Sequence, residues 1–301
     1  MPVGVYIYFY IVGIGMIYKA EPAMVNTVAS YDTTILDLLL EKVYREAGYN
    51  FRYYKRGTVI RRLERRLHAT GAKTYLDYLR FLDTHPEEYQ KLADDLTIKV
   101  SEFFRSPHVF QQVVRLVLPE LMLHKQSRGE RELRFWSSAC ARGEEPYSIA
   151  IMLAEFLGKQ RQDFNISVYA TDISQQALNT AEIGIYPPKE VEGILGPTTE
   201  NYFTYHSRGY LVKNGIRQML RFSYFDLTSD RRQPFADVDC IFCCNILIYL
   251  QEQLQEKVLS MLYDSLATPG YLILGEAETL TNNLNGKLEC LDSKAKIYRK
   301  K

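Results

Sequence analysis

The sequence predicts an α/β protein: a mostly parallel, doubly wound sheet with a small antiparallel β-subdomain, preceded by an all-α domain. Two observations carry this. After Arg128, apolar strand-like runs alternate with helical stretches of ten or more residues, the signature of strand–helix–strand units in a parallel sheet. Between about Thr33 and Met122, apolar residues recur at helical spacing and no good strand appears. The expected division is an apolar N-terminal segment over residues 1–23, a helical domain over 24–122 and the sheet domain over 123–301.

The helical part reads as short amphipathic pieces. ILDLLLEKVYREAG puts Leu36, Leu39, Leu40 and Val43 on one face, with Gly48 as C-cap. KRGTVIRRLERRLHATG carries Ile60, Leu63 and Leu67 at helical spacing and stops at Gly71, and TYLDYLRFLDTHPEEY is broken at Pro86. In the sheet domain, LRFWSSA is a strand, CARGEE a loop and PYSIAIMLAEFLG a helix. ISVYATD is a second strand leading into SQQALNTAEIG, and VDCIFCCNILIYL is a buried strand running into a turn. QEQLQEKVLSMLYDSLATPG reads as a helix closed by Pro269 and Gly270, followed by the strand YLILGE. The Asn214-Gly215 dipeptide between two short apolar runs signals a hairpin, giving a β-subdomain over about 187–223.

Composition excludes several function classes. With 301 residues and a formal net charge of +1, the chain has no global attraction to nucleic acid or anionic membrane, so charged recognition must come from a local patch. Five unevenly spaced cysteines fit a reducing compartment, the cytoplasm, better than a disulfide framework. Cys240 and Cys243 would point to opposite faces of a strand and no histidine stands near them, so no metal site is expected. From Pro2 to Tyr18 the chain carries no charge. That run is at the short end of what spans a bilayer and lacks the basic start of a secretory signal. A membrane anchor, a segment packed on the body and a start of translation at Met24 all remain open.

In an open parallel sheet the ligand lies beyond the carboxyl ends of the strands. The loop after the first strand, Ser138 to Pro146, has a single glycine, Gly143, followed by Glu144 and Glu145. Two carboxylates at a helix start argue against a phosphate ligand and suit one with a cationic centre, such as a sulfonium bearing an amino group. Asp172, at the end of the second strand, stands where an acid accepts hydrogen bonds from ribose hydroxyls. Taken singly, the glutamates also suit the helix dipole and Asp172 also suits an N-cap.

Together, FFRSPHVF, GEEPYSIA, ATDIS with QQAL behind it, and CNILIYL resemble in order and spacing the CheR family of chemotaxis receptor methyltransferases, from about Tyr31 to the C-terminus. The resemblance implies a Rossmann-like domain binding S-adenosylmethionine, with S-adenosylhomocysteine as product and no metal. It implies transfer of a methyl group to glutamate carboxylates of a chemoreceptor-like protein with a glutamate-bearing coiled coil. It places Arg105 beside the cofactor sulfur and the substrate carboxylate, Ser101 in the cofactor site, Glu144 at the cofactor's amino-acid end and Asp172 at its ribose. Asp226 stands near the adenine, where the family has asparagine, and Asn245 and Tyr249 line the pocket near the methyl group. Lys99 and Cys244 depart from the family's asparagine and arginine, Ala139 from a glycine, and Arg142 from a small polar residue. Those departures leave open a second reading, a weakly active methyltransferase-like scaffold that binds the cofactor or a receptor.

The helix near Val59 to His68 displays Arg61, Arg62, Arg65 and Arg66 away from its apolar stripe, with Lys55 and Arg56 extending the patch. A basic face is often merely solvated; in the family the corresponding helix is the docking surface for the acidic receptor, which here implies a salt-sensitive partner. Nucleic acid is excluded by the near-neutral charge and the lack of a recognised module. Membrane contact is expected only through the receptor or the N-terminal run.

Overall fold

The computed structural model describes residues 22–97, 101–191, 194, 197–229 and 233–301, with backbone alone for 22–32 and 197–199. The apolar run Pro2–Tyr18 and Lys99 therefore lie outside the described residues. No described helix is long and apolar enough to cross a membrane. The described residues form two compact units, one lying within 22–52 and 60–92, the other within 53–59 and 93–301. The division falls at Leu92/Ala93, earlier than the Met122 boundary expected from helical character, because the helices after Ala93 pack with the sheet.

The first unit is built from α1 (Pro22–Ala47), α2 (Arg56–Thr70, from Ile60 on), α3 (Tyr75–Thr84) and the start of α4 (Glu87–Leu96). Its core takes the expected stripes: Leu36, Leu39, Leu40 and Val43 of α1, Leu63 and Leu67 of α2, and Tyr78 and Leu82 of α3 are all buried. Gly48 and Gly71 close α1 and α2 with φ of +79° and +76°, the left-handed conformation glycine adopts without a Cβ penalty. α3 opens with a capping box in which Thr74 and Asp77 satisfy each other's backbone N–H groups.

The second unit begins with α5 (Pro107–Gln112), a π-helical turn (Val113–Val117) and α6 (Leu118–Ser127). Then come β1 (Glu132–Ser137), α7 (Glu144–Leu157), β2 (Asn165–Asp172) and α8 (Gln175–Ile183). β3 (Ile185–Tyr186), α9 (Pro188–Val191), α10 (Pro197–Tyr202), β4 (Phe203–His206), β5 (Gly209–Val212) and α11 (Asn214–Arg217) form the small insertion. The chain returns through β6 (Leu220–Tyr224), β7 (Val238–Cys243), α12 (Glu252–Ser265), β8 (Leu266–Leu274), β9 (Leu288–Asp292) and β10 (Ile297–Lys300).

The large sheet has seven strands in the order β6-β2-β1-β7-β8-β10-β9. β6, β2, β1, β7 and β8 run parallel, and β10 and β9 are added antiparallel. β7 is buried along its whole length, as a central strand covered on both faces must be. The order reverses between β1 and β7, so the switch point, and with it the ligand crevice, lies beyond Ser137 and Cys243.

Two sequence expectations are corrected, and a third finding adds strands for which there was none. Asn214-Gly215 is no hairpin turn; it opens the single helical turn of α11, with Gln218 N–H donating to the Asn214 carbonyl at 3.0 Å. The run after it, β6, pairs parallel with β2, and a two-residue turn cannot connect it back to β5. The hairpin lies earlier, where β4 and β5 pair with His206 opposite Gly209, and the small sheet is β3-β5-β4. A Cβ at Gly209 would stand 2.1 Å from the Tyr186 carbonyl oxygen, so this close approach requires glycine. Second, α12 ends at Ser265, and Pro269 and Gly270 lie inside β8 where its ladder with β7 shifts register. Third, β9 and β10 complete the sheet without having been recognised in the sequence.

Candidate functional site

Five loops meet at the carboxyl edge of the parallel strands, following β1, β2, β6, β7 and β8. The loop after β1 is tied to the end of β2: Asp172 Oδ2 accepts the Ala141 N–H at 2.9 Å and Oδ1 accepts the Ser174 N–H at 2.8 Å. Ser174, not Asp172, caps α8, accepting the Ala177 N–H at 3.3 Å. Gly143 has φ +98°, and a Cβ there would meet Ala181 Cβ at 2.8 Å and the Tyr186 hydroxyl at 2.9 Å. The single glycine of the loop is thus a packing requirement as much as a conformational one.

The two carboxylates after Gly143 diverge. Glu144 is fully buried and its Oε1 accepts from Arg142 Nη2 at 2.7 Å, while Arg142 Nη1 reaches Glu190 of α9 at 2.9 Å. Burial raises its pKa, and the field of Arg142 opposes that rise. Glu145 instead turns toward β1 and β7. Its Oε1 accepts from the Ser137 hydroxyl at 2.6 Å, and part of the residue stays open. Burial pushes its pKa up to about 7; the Ser137 and Cys244 hydrogen bonds and the charge of Arg105 pull the other way, and Glu278 adds to the rise.

Arg105 itself is exposed, on a segment anchored from both sides. Phe103 packs edge-on against Tyr186 and Phe203, with ring centroids 4.8 and 5.4 Å away. The Phe104 N–H donates to Ser148 Oγ at 2.8 Å, and Ser148 Oγ donates to the Glu144 carbonyl at 2.7 Å. Phe104 and Ser106 sit at φ 49° and 55°, a conformation that bulky residues adopt only where the surroundings impose it. The FFR segment is thereby pinned to the first turn of α7. Ser101, earlier on that segment, is partly exposed.

After β6, Asp226 is buried and its Oδ1 accepts both the backbone N–H and the hydroxyl of Thr228, at 2.8 and 2.7 Å. After β7, Asn245 has φ 62° and opens a tight loop to Tyr249. That loop rests on Glu278, whose carboxylate accepts from the N–H groups of Asn245, Leu247, Ile248 and Gly275 at 2.7–3.3 Å. The sequence offered no signal for Glu278, because all its partners but Gly275 lie thirty or more residues away in the chain. Nor did it separate the two glutamates of GEEPY, which differ only in which way each side chain leaves the helix start.

Cys240 and Cys243 are both buried, and among the described residues no cluster of His, Cys, Asp or Glu could hold a metal ion. On α2, Arg61 and Arg65 are exposed and Arg62 is partly covered. Arg66 departs from the expected docking face: it forms a fork with Glu88, Nε to Oε1 and Nη2 to Oε2 both at 2.8 Å, and the Tyr78 hydroxyl donates to the same carboxylate. Glu88 is only 2% exposed, so Arg66 serves the interior of the first unit.

The SAM binding domain of the CheR methyltransferases matches residues 99–297. The chain belongs to this family. The all-alpha domain of CheR methyltransferases matches residues 35–97, in agreement with the helical first unit. A chemotaxis protein methyltransferase of Borreliella burgdorferi is 31% identical over 83% of this chain and 89% of its own. Chemotaxis protein methyltransferase 2 of Pseudomonas aeruginosa is 31% identical over 87% and 92%, and the Escherichia coli chemotaxis protein methyltransferase 31% over 80% and 82%. The chain is thus an S-adenosylmethionine-dependent methyltransferase of the CheR family, with the mixed sheet and small antiparallel sheet described above.

The residues at the carboxyl edge suit that cofactor. Glu145, Asp172 and Asp226 set carboxylate acceptors along that edge.

Proposed function

We propose that this chain esterifies glutamate side chains of a chemoreceptor-like helical protein. The observation that carries the reading is the FFR segment, in which Arg105 is exposed while the neighbouring Phe104 N–H is hydrogen-bonded to Ser148 of α7, beside the loop that follows β1. When bound, S-adenosylmethionine supplies a methyl group on a positively charged sulfur. Glu145, which is partly open, holds the amino-acid end beside Glu144, whose Oε1 is paired with Arg142 and whose buried Oε2 has no partner within the protein. Asp172, whose two oxygens each accept one backbone N–H, accepts from the ribose with its remaining lone pairs, and Asp226, with Oδ1 on the Thr228 N–H, accepts from the adenine amino group.

The substrate glutamate has an ordinary pKa near 4.3 and is a carboxylate at neutral pH, so no general base is needed. Alignment is what the protein contributes. Arg105 presents a planar fork to the carboxylate, and Asn245 and Tyr249 shape the far side, their loop stiffened by Glu278. The role of Arg61 and Arg65 is electrostatic docking of an acidic receptor helix, without the contribution of Arg66.

Arg105→Ala is the test. The variant is expected to bind S-adenosylhomocysteine and to melt like the parent, yet to lose methyl transfer from radiolabelled donor to a glutamate-bearing receptor fragment by about a hundredfold or more. Undiminished transfer would sink the mechanism.

A further inference from the structure

The loop between β1 and α7 carries an arginine that the small insertion holds at two points. The Tyr186 hydroxyl of β3 donates to the Arg142 carbonyl at 2.7 Å, and Glu190 of α9 accepts from Arg142 Nη1 at 2.9 Å. The other arm of the same guanidinium, Nη2, donates to Glu144 Oε1 at 2.7 Å. One side chain thus bridges the first residue of α7 and an acid of the insertion, a span that a short residue at position 142 would not reach.

The bridge is incomplete on its acidic side. Each glutamate gives Oε1 to the arginine, and Glu144 Oε2 and Glu190 Oε2 are both buried without a hydrogen-bond partner within the protein. Glu144 is 0% exposed. Two carboxylates against one guanidinium leave the group with one negative charge, and a buried charge is costly until a counter-charge is brought to it. Arg142, shared in this way, does not neutralise Glu144. Without the charge of Glu190 it would, because arginine and a single carboxylate favour a closed two-bond fork that engages both oxygens.

We propose that Glu190 is a further positioning residue of the cofactor site: by sharing Arg142 it leaves Glu144 with an open oxygen and a net negative charge for the ammonium group of the amino-acid end. This rests on Glu144 standing at that end, as proposed above. The charge count agrees, since the group retains one negative charge and the ligand brings one ammonium. Glu190 acts through Arg142 and need not touch the ligand. The small insertion thereby takes part in holding the cofactor.

The test is calorimetric titration of the full chain against S-adenosylhomocysteine and 5′-methylthioadenosine, which lacks the amino-acid end. The variants are Glu190→Gln, Glu144→Gln and the double variant Arg142→Met with Glu190→Gln. Glu190→Gln keeps the shape of the side chain and removes its charge, so that Glu144 alone meets Arg142. It is expected to weaken S-adenosylhomocysteine by about fivefold or more and to leave 5′-methylthioadenosine unchanged. The double variant removes one charge of each sign, returns the group to one negative charge, and is expected to bind S-adenosylhomocysteine more tightly than Glu190→Gln. A double variant no tighter than Glu190→Gln, or equal losses for the two ligands, overturns the proposal. Undiminished S-adenosylhomocysteine binding by Glu190→Gln, with weak binding by Glu144→Gln, overturns the role of Glu190 alone. Undiminished binding by Glu144→Gln overturns the placement of Glu144 beneath it. Should Glu190→Gln fail to fold, Glu190→Ala, a better helix former, decides by the same comparison of the two ligands.

Discussion

The carboxyl of Glu145 changes charge close to neutral pH, at about 7, chiefly because burial disfavours its ionised form. A ligand that brings an ammonium group needs that form. Below the shifted pKa the carboxyl is neutral and must lose a proton before it can pair; above it the charge is already present. Affinity for S-adenosylhomocysteine should therefore rise with pH through about 7 and level off above it. Calorimetry at about pH 6 and about pH 8 checks this, and Glu145→Gln should bind weakly at both, with little difference between them. A parent protein whose affinity is flat over that range would mean Glu145 does not face the ligand. Glu144 gives Oε1 to Arg142, and its Oε2 is buried without a hydrogen-bond partner.

Two elements depend on single buried carboxylates. The loop from Asn245 to Tyr249 is held by Glu278, which gathers N–H groups from both sides of the β7–β8 edge. Removing the acceptor leaves buried donors without partners, at about 1–3 kcal/mol for each that water cannot reach. Glu278→Ala should lower stability by about 3 kcal/mol and reduce methyl transfer further than the loss of folded protein explains, as denaturant melts and activity per folded molecule would show. On α2 the neighbouring arginines should part company. Arg66→Ala strands Glu88 in the interior and should cost about 3 kcal/mol. Arg61→Ala and Arg65→Ala, on the exposed face, should stay within about 0.5 kcal/mol. Equal melts for all three would refute the division.

For the molecule as a whole, the near-neutral net charge means that receptor attraction must be local. Reversing Arg61 and Arg65 together to glutamate should cut methylation of an acidic coiled-coil substrate and flatten its salt dependence, while leaving S-adenosylhomocysteine affinity unchanged. Receptor methylation that is indifferent to these changes would place docking elsewhere.

Periodicity and composition in the chain were enough to show the alternation that makes a parallel sheet, the all-helical first unit, and the acids that end β2 and begin α7, because each is a local pattern read within a dozen residues. What escaped was set by distant partners. Asn214-Gly215 has every local mark of a hairpin, yet Ile216 and Leu220 are buried and β6 pairs with β2, so the dipeptide starts a helical turn. Pro269 reads as a helix stop, yet the strand has already begun at Leu266 to reach β7. Arg66 looks identical to Arg62 until Glu88 arrives from α4 to bury it. Glu144 and Glu145 are one residue apart, and only the packing of α7 against β1 and α9 decides which carboxylate meets Ser137 and which meets Arg142. A sequence specifies the patterns that bury apolar surface. Which polar group is left facing the ligand is decided by the partners that tertiary packing supplies, since a buried charge takes whichever counter-charge or donor is brought to it.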